Sequence, residues 1–367
     1  MAKRLCVSVL CGGQSTEHEV SVRSAKNIVS FLDANKYDVS VVFIDHEGKW
    51  YLFDKLRDFL DREPEDLLSA GGVPITVALG DSARPWQSLN GEGRHYEVNC
   101  VFPIIHGTNG EDGSLQGLLD LLNLPYVGAD AQSSAICMEK DITKRLLRAA
   151  DIPVLDWQTL YPGDSLEGLY QKLLPRLGSE MFVKAASLGS SVGTMPVKTE
   201  REFQQAVKDL FRYDERVIVE PRVRGREIEC SVLGNENPRA SLPSEIVVYH
   251  DYYTYEAKYL DPAGARTVAP ADLPSYLVKN IQKTAVDAFR AVHCAGMARV
   301  DFFLLNNEKL VVNELNTIPG FTSSSLYPKM WEVSGLPYRD LLDQLIELAL
   351  QRHRYQQTLI RRYVPKG

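Results

Sequence analysis

The fold class is decided by residues 5–32, which read LCVSVLCGGQSTEHEVSVRSAKNIVSFL. The apolar run over residues 5–10 predicts a buried strand, and the glycine pair 12–13 predicts a tight turn after it. Thr16 and Glu19 have the spacing of a capping box at a helix start. Apolar residues then recur at helical spacing on one face: Val22, Ala25, Ile28, Val29 and Leu32. This order of strand, turn and helix predicts an α/β unit.

The alternation of strands and helices continues outward from this unit. The hydrophobic pattern predicts strands at residues 38–44 and 98–105 and then helices at residues 114–122 and 133–150. Two short strands follow, near Val154 and near Phe182. Such alternation indicates a parallel sheet whose faces are covered by helices. Residues 46–96 are polar and contain Gly71-Gly72, so we expect a surface elaboration there.

The pattern changes after residue 217, where strands follow one another with few helices between them. Five features are predicted: strands at 217–220 and 227–233, a tyrosine-rich loop at 249–259, a helix at 274–293, a hairpin of 297–305 with 310–315, and a final helix at 339–351. The fold class expected is therefore α/β, with an α+β C-terminal part.

Composition excludes several classes of partner. The 367 residues carry a net charge of −7, and no basic run or stripe offsets it, so we expect neither a nucleic acid nor a membrane partner. Six cysteines without CxxC spacing indicate reduced thiols and a cytoplasmic location. The first apolar run is too short for a signal peptide, and no apolar stretch is long enough to span a bilayer.

Four polar side chains are predicted on one face of the hairpin. With a two-residue turn at 307–308, Asp301 faces Glu314 and Arg299 faces Asn316. Four apolar side chains share this face by the same alternation: Phe303, Leu305, Leu310 and Val312.

Two carboxylates that face each other across a hairpin repel, so a cation is expected between them. The oxygens of Asp301, Glu314 and Asn316 suit Mg²⁺, with waters or phosphate oxygens as its remaining ligands. The alternative is a surface hairpin in which Asp301 pairs with Arg299.

A second constellation follows the strand near Phe182. Lys184 ends that strand, and the turn SLGSSVG occupies residues 187–193. The N–H groups and hydroxyls of such a turn can bind phosphate oxygens, with the lysine as a point charge. The spacing is that of neither a Walker A loop nor a Rossmann fingerprint, and a plain tight hairpin is an equally good interpretation.

Two further motifs lie where strands end. HGTNGEDG, residues 106–113, opens a helix, and with the helix after Gly13 it offers two N-termini that can bind a carboxylate. His106 is explained equally well as a structural histidine, and Glu17 as a charge at a helix N-terminus. The loop 316–325 could stabilise an oxyanion with backbone donors around Gly320, or could be a plain connector.

Six segments of the chain resemble the ATP-grasp superfamily and, within it, the ligases that join two D-alanine molecules: GGQSTEHEVSVRSA, HGTNGEDGSLQGLLDLLNLPYVG, VKAASLGSSVG, YEAKY, MARVDFF and NELNTIPGFTSSSL. The likeness extends from about residue 5 to residue 330. It implies an ATP-grasp fold in three parts: an N-terminal α/β domain at 1–130 for the first D-alanine, a central lid domain at 131–220, and a C-terminal domain at 221–367 for ATP, metal and the second substrate.

The resemblance also implies the reaction and its cofactors. ATP drives the joining of two D-alanine molecules through a D-alanyl phosphate, with release of ADP and phosphate, for peptidoglycan precursor synthesis. The metal expected is Mg²⁺, with Mn²⁺ as a substitute and two ions in the site. The partners expected are ATP, D-alanine and a second copy of the chain in a homodimer.

The resemblance assigns a role to each matching residue. The metal ligands are Asp301, Glu314 and Asn316. The ATP-binding residues are Lys140, Lys184, Ser190, Ser191 and Lys258 on the phosphate side, with Glu220 near adenine and Glu227 near ribose. The first D-alanine contacts Glu17 and His106, and the carboxylate of the second contacts Ser325 and Leu326. Arg299 and Gly320 stabilise the tetrahedral intermediate, and Glu17, Ser190 and Tyr259 form a hydrogen-bonded triad.

Two positions depart from the family pattern. Ala185 stands where proline is frequent, and Pro221 stands where lysine is frequent, which leaves the geometry of the phosphate loop and the adenine contacts open. A ligase that uses D-lactate is one rival, and Tyr259 argues against it because lactate-using relatives commonly have phenylalanine there. A two-lobed binding module without catalysis is another rival, and it leaves the facing Asp301 and Glu314 unexplained.

Overall fold

The computed structural model describes residues 3–91, 94–189, 193–248, 265–306 and 308–361. Within these ranges the strands form three sheets that follow one another along the chain. The first sheet lies within residues 5–103, the second within 158–221 and the third within 225–316. The order of the sheets agrees with a three-part architecture, and the domain boundaries near 130 and 220 stay predictions.

The first sheet is built on β1 (Leu5–Gly12), which is parallel to β2 (Tyr37–Ile44) and β7 (Cys100–Pro103). Helix α1 (His18–Phe31) connects β1 to β2, which confirms the predicted strand, turn and helix. Gly12 has a φ of 88°, and a Cβ there would lie 2.2 Å from a backbone carbonyl oxygen of β2. Glycine is therefore required where the chain leaves β1.

The start of α1 differs from the predicted capping box. The helix begins at His18 with Glu17 as its N-cap residue, and no side chain caps it. The hydroxyl of Ser15 instead accepts a hydrogen bond from the backbone N–H of Glu17 at 3.0 Å. The predicted box of Thr16 and Glu19 is wrong because Thr16 lies one residue before the N-cap position.

Residues 46–96 belong to the first sheet, so their interpretation as a surface elaboration is wrong. The described residues of this stretch, 46–91 and 94–96, form six elements: β3 (Trp50–Phe53), α2 (Leu56–Leu60), a 3-10 helix (Pro64–Ala70), β4 (Val73–Val77), β5 (Trp86–Ser88) and β6 (His95–Tyr96). The four strands continue the sheet in antiparallel fashion beyond β2, which makes it mixed rather than parallel. Trp86 is fully buried and donates to the Oγ of Ser8 at 3.0 Å. Strands this short show no clear period in the sequence.

Three helices link the first sheet to the second: α3 (Ser114–Leu121), α4 (Ala131–Met138) and α5 (Lys140–Ala149). The single helix predicted at 133–150 is therefore two helices. Glu139 separates them with extended backbone angles, φ −88° and ψ 101°, and its carboxylate accepts from the N–H of Asp141 at 3.3 Å. Because of this break, Lys140 stands at the first position of α5.

The second sheet is antiparallel and has the order β10-β9-β11-β8. Its strands are β8 (Gln158–Leu160), β9 (Met181–Ala185), β10 (Thr194–Val197) and β11 (Val217–Pro221), with helices α6 (Leu169–Leu177) and α7 (Glu200–Leu210). The strand predicted near Phe182 is confirmed as β9. Val154 forms only an isolated bridge with Val312, so the strand expected there begins four residues later.

The third sheet has the order β15-β14-β12-β16-β17, with β13 beside β12. Its strands are β12 (Gly225–Gly234), β13 (Arg239–Ala240), β14 (Ser244–Val248), β15 (Ala265–Val268), β16 (Gly296–Leu305) and β17 (Leu310–Asn316). In the described stretches of this part, the helices are α8 (Ser275–Ala291), α9 (Leu326–Val333) and α10 (Tyr338–Gln357). The predicted loop 249–259 lies outside the described residues. In the ranges described, no helix is both long and apolar enough to cross a membrane.

One hydrophobic core joins the two ends of the chain. Buried side chains of the first sheet, such as Val9 and Phe102, pack in one cluster with Phe321, Trp331 and Leu345 from the C-terminal part. Arg352 on α10 also donates to a backbone carbonyl oxygen of the first part at 2.9 Å. The last helices therefore stabilise the first sheet, although they lie far from it in sequence.

Candidate active site

One large cleft of about 1550 Å³ collects the predicted site residues. Each sheet contributes to its lining, with Glu17 and His106 near the first sheet, Lys184 from the second, and Arg299 and Glu314 from the third. The predicted residues are distant in sequence and meet here because the three sheets border the same space. A concave site with converging polar groups is the ordinary form of a small-molecule site.

The hairpin brings the four polar residues together as predicted. Asp301 is paired with Glu314, and Arg299 with Asn316. The hydrogen-bonded ladder is not regular, as the prediction assumed. Its register shifts by one residue between Asp301 and Phe302, which leaves Asn313 as an extra residue in β17. A β-bulge of this kind re-aims side chains at the edge of a site.

The bulge changes the apolar part of the prediction. Val312 is paired with Phe302 and Leu310 with Leu304, and all four are buried in the core on the opposite face. Their placement on the metal face is therefore wrong for Leu310 and Val312. Phe303 lines the cleft as expected.

Protein cations lie beside both carboxylates of the hairpin. Arg299 donates to both oxygens of Asp301 at 2.7 Å, and its Nε lies 3.3 Å from a carboxylate oxygen of Glu229. Burial lowers the pKa of Arg299, but Asp301 and Glu229 outweigh this and raise it well above its usual value. The ammonium of Lys140 lies 3.9 Å from Glu314. The alternative pair of Asp301 with Arg299 is thus formed, but at the cleft rather than on an outer surface.

The donor set of the hairpin fits a divalent metal ion. Asp301 and Glu314 offer carboxylate oxygens, and Asn316 offers an amide oxygen that accepts from the N–H of Ile318 at 3.2 Å. These are hard ligands of the kind that Mg²⁺ and Mn²⁺ prefer. In the part of the chain described, no three His, Cys, Asp or Glu side chains could hold a metal ion by themselves. Three ligands leave positions in an octahedral shell that phosphate oxygens and water can fill.

Lys140 lies between the hairpin and the predicted phosphate loop. Its ammonium donates to the carbonyl oxygen of Leu188 at 2.5 Å. Its backbone N–H donates to the carbonyl oxygen of Ala186 at 2.9 Å. Burial lowers the pKa of this lysine, while Glu314 opposes that shift. The position at the start of α5, produced by the break at Glu139, directs the ammonium toward the cleft.

Glu139 anchors the base of the same loop, a role that sequence reasoning missed. Its carboxylate accepts from the hydroxyl of Ser187 at 2.9 Å and pairs with Arg216 at 2.8 Å. The N–H of Ser187 in turn donates to Asp214 at 2.6 Å. The loop therefore begins from a rigid, hydrogen-bonded base.

Lys184 and Glu220 form a buried ion pair at the cleft wall. The ammonium of Lys184 lies 2.7 Å from one oxygen of Glu220, and Lys144 pairs with the other oxygen. Burial raises the pKa of Glu220, but the two lysines outweigh it and lower that pKa to about 2. Glu227, predicted near ribose, also lines the cleft. The role of Glu220 near adenine stays a prediction. The structure adds that the Glu220 carboxylate forms ion pairs with two lysines.

His106 is buried and connects the first part of the chain to the loop after β17. Its Nδ1 lies 2.9 Å from the carbonyl oxygen of Ile318, and its Nε2 lies 3.3 Å from the hydroxyl of Ser24. A carbonyl oxygen only accepts, so Nδ1 carries the proton and Nε2 accepts. Burial lowers the pKa of His106, which favours this neutral form.

Glu111 is a second residue that sequence reasoning missed. Its carboxyl group accepts from the N–H of Gly107 at 2.8 Å and from that of Ile318 at 3.3 Å. Burial, reinforced by the negative charge of Glu17, raises the pKa of Glu111 to about 8. Glu111 thus ties the loop after β7 to the loop after β17, while Glu17, itself buried, lines the cleft beside them. The signal was present in HGTNGEDG, where only His106 was singled out.

The loop between β17 and α9 supplies backbone groups. A Cβ at Gly320 would lie 2.7 Å from the Oγ of Ser325, so a larger residue there would displace this hydroxyl group. Ser325 is the N-cap residue of α9, and its Oγ accepts from the N–H of Thr322 at 2.9 Å. The side chain of Leu326 is buried against Ile246, so only its backbone can contact a substrate carboxylate. These positions agree with the predicted roles, which stay predictions.

Four predicted residues lie outside the described residues: Ser190, Ser191, Lys258 and Tyr259. Glu229, by contrast, is described and was missed, although it lies two residues after Glu227 and therefore on the same face of β12. Lys144 was missed as well, because a lysine within a helix reads as a solvent-exposed residue.

Comparison with known proteins agrees with this geometry. Residues 6–129 match the family model described as D-ala D-ala ligase N-terminus, and residues 146–347 match D-ala D-ala ligase C-terminus. The D-alanine–D-alanine ligase of Coxiella burnetii strain Dugway is 66% identical over 100% of this chain and 99% of its own length.

Two solved structures are also similar to the chain. A D-alanine-D-alanine ligase structure from Coxiella burnetii aligns with a TM-score of 0.90 and 61% identity, covering 98% of both chains. The VanG D-Ala:D-Ser ligase from Enterococcus faecalis aligns with a TM-score of 0.85 and 34% identity, covering 95% of this chain and 100% of its own.

The fold and its structural relatives define a ligase of the ATP-grasp class, and its cleft is lined by oxygen donors of the third sheet and by lysines. Enzymes of this kind use ATP, a divalent metal ion and small-molecule substrates. The chain belongs to the D-alanine–D-alanine ligase family.

Proposed function

We propose that this enzyme joins two D-alanine molecules into D-alanyl-D-alanine while ATP is converted to ADP and phosphate. The observation that carries the proposal is that Glu17 and His106 line the same cleft as Arg299, Asp301 and Glu314. Groups suited to an amino acid thus lie in the same space as groups suited to a metal-bound triphosphate. The name of a relative that is 66% identical, D-alanine–D-alanine ligase, supports the same substrates.

The first step forms an acyl phosphate. A carboxylate oxygen of the first D-alanine attacks the γ-phosphorus of ATP, and ADP leaves with the electrons of the broken P–O bond. Lys140 and Lys184 hold the phosphates, and Glu17 and His106 hold the amino acid. A divalent metal ion held by Asp301, Glu314 and Asn316 would neutralise negative charge on the phosphates. We assign Mg²⁺ to this site, with two ions bound and with Mn²⁺ able to replace Mg²⁺.

The second step forms the peptide bond. The amine of the second D-alanine attacks the acyl carbon, the C–O bond to phosphate breaks, and the amine proton is lost to the surroundings. Arg299 and the backbone around Gly320 stabilise the oxyanion of the tetrahedral intermediate. Ser325 and the N–H of Leu326, at the start of α9, hold the carboxylate of the second substrate. We also assign Ser190, Ser191 and Lys258 to ATP binding, and Tyr259 to a hydrogen-bonded triad with Glu17 and Ser190.

The likeness to D-alanine–D-alanine ligases also supports a cellular setting. The dipeptide serves as a peptidoglycan precursor, and we place the enzyme in the cytoplasm as a homodimer. Six free cysteines support a reducing compartment, five of them buried.

Product analysis tests the proposal. The enzyme is incubated with ATP, Mg²⁺ and D-alanine, and the products are separated and counted. We expect one D-alanyl-D-alanine for each ADP and each phosphate. ADP without dipeptide would contradict the ligase reaction, and equal incorporation of D-lactate or D-serine offered with D-alanine would contradict the second substrate.

A further inference from the structure

Lys144 is a buried lysine that lies behind the wall of the cleft. Its side chain is only 2% exposed, and it pairs with one oxygen of Glu220, which is 1% exposed. The other oxygen of Glu220 lies 2.7 Å from Lys184. Lys184 and Glu220 line the cleft, whereas Lys144 does not. Three charged groups from α5, β9 and β11 thus form one row that ends at the nucleotide site.

The row carries an uneven charge. Two ammonium groups and one carboxylate give +2 and −1, a net charge of +1. Burial lowers the pKa of Lys184, but Glu220 outweighs this and raises it, so the lysine stays charged. If Lys144 were neutral, Glu220 and Lys184 would form a neutral pair. Because buried charges are weakly screened, this difference acts strongly on a nearby phosphate.

The surroundings of Lys144 hold its ammonium in place. The Nζ lies 5.8 Å from the centre of the Trp157 ring, in cation–π range. The indole N–H of Trp157 donates to Asp141 at 2.7 Å, and the hydroxyl of Thr159 donates to the same oxygen at 2.6 Å. The Lys144 ammonium therefore lies between Glu220 and a Trp157 ring that is itself held by a hydrogen bond.

We propose that Lys144 is a positioning residue that acts through Glu220 to leave Lys184 with an uncompensated positive charge toward the ATP phosphates. This inference rests on the proposed role of Lys184 in ATP binding and deepens it. The competing explanation is that the row only fastens α5 to the second sheet. The two explanations predict different effects of a substitution at Lys144: the first predicts weaker binding of the phosphates alone, and the second predicts equal weakening for the whole nucleotide.

The experiment measures the dissociation constants of ATP and of adenosine in the presence of Mg²⁺. The ratio of the two constants gives the contribution of the phosphates to the binding affinity. Lys144→Met removes the charge and keeps much of the volume, and Lys144→Gln removes the charge while retaining a hydrogen-bond donor. The double variant Lys144→Met/Glu220→Gln restores the net charge to +1. Lys198→Met is the matched control, because Lys198 pairs with Glu180 on the surface at 3.3 Å.

We expect the preference for ATP over adenosine, given by the ratio of their dissociation constants, to fall about tenfold or more in both single variants. Most of this preference should return in the double variant. The control should match the wild type. An unchanged ratio in folded Lys144→Gln, or no recovery in the double variant, would overturn the inference. Equal losses for ATP and adenosine would assign Lys144 a purely structural role. A wild type that binds ATP but makes no dipeptide would refute the proposed function and leave the Lys144 comparison readable.

Discussion

Glu111 carries a carboxyl group that the fold keeps protonated near neutral pH. Its native pKa of about 8 lies far above the value of about 4.3 expected in an unfolded chain. A raised pKa means that the native state binds the proton more tightly than the unfolded state. Its contribution to stability is therefore complete below about pH 4.3 and is lost as the pH rises toward 8.

Glu111→Gln should flatten this pH dependence, because glutamine resembles the neutral carboxyl group. We expect the free energy of unfolding of the variant to fall less than that of the wild type between pH 5 and pH 8. Urea unfolding at several pH values in this interval measures the difference. Parallel curves for the two proteins would mean that Glu111 is ionised in the native state.

Glu314→Gln should abolish turnover at ordinary Mg²⁺ concentrations while the fold stays intact. The change removes a charged metal ligand and the partner of Lys140 at 3.9 Å, with little change in volume. Dipeptide synthesis measured over a range of Mg²⁺ concentrations checks this, with circular dichroism as the control for folding. Near-normal activity at low Mg²⁺ would remove Glu314 from the metal site.

Individual residues were predictable where a local pattern placed them. Asp301 and Glu314 follow from strand alternation and hairpin pairing, and His106 follows from its position after a strand. Lys144 was not predictable, because its contact with Glu220 needs α5, β9 and β11 to pack together. Long-range packing of this kind has no signature in a short window of sequence.

The hairpin of β16 and β17 shows how an element can be predicted correctly for an incomplete reason. A two-residue turn pairs Asp301 with Glu314 only if the ladder is regular. In the structure, the N–H of Leu305 donates to the carbonyl oxygen of Lys309, so the pairing near the turn is one residue out. The extra residue Asn313 restores the register at the site. Two deviations of one residue therefore cancel, and the sequence pattern could not reveal either.

The two faces of this hairpin should respond differently to truncation. Val312→Ala should lower the free energy of unfolding by about 2 kcal/mol, because Val312 is fully buried in the core, and should leave the KM for ATP unchanged. Phe303→Ala should raise the KM for ATP with a smaller loss of stability, because Phe303 lines the cleft. Denaturant unfolding and steady-state kinetics of both variants measure this. The reverse result would place Val312 on the nucleotide face.

At the scale of the whole molecule, the first sheet depends on helices from the other end of the chain. Its core includes Trp331 and Leu345, so a segment of residues 1–130 lacks part of its own core. We expect residues 1–130 expressed alone to show no cooperative thermal unfolding, with the full chain as the control. A cooperative transition in the fragment would show that this part is an autonomous domain.

The architecture was predictable from the order of elements and from the motifs, which lie at strand ends and in the hairpin. The mixed character of the first sheet was not, because β3 to β6 are each only two to five residues long, which is too short to show a strand period. The shared core of the two chain ends was not predictable either. Sequence patterns report which face of an element is buried, but not which distant element covers it.

The transfer of an oxygen atom tests the central claim that one cleft couples ATP cleavage to peptide bond formation. D-Alanine labelled with oxygen-18 in both carboxyl positions is converted with ATP and Mg²⁺, and the inorganic phosphate is examined by mass spectrometry. Attack of the carboxylate on the γ-phosphorus predicts one labelled oxygen in each phosphate and one dipeptide for each phosphate. Unlabelled phosphate, with its new oxygen drawn from water, would contradict the acyl phosphate route.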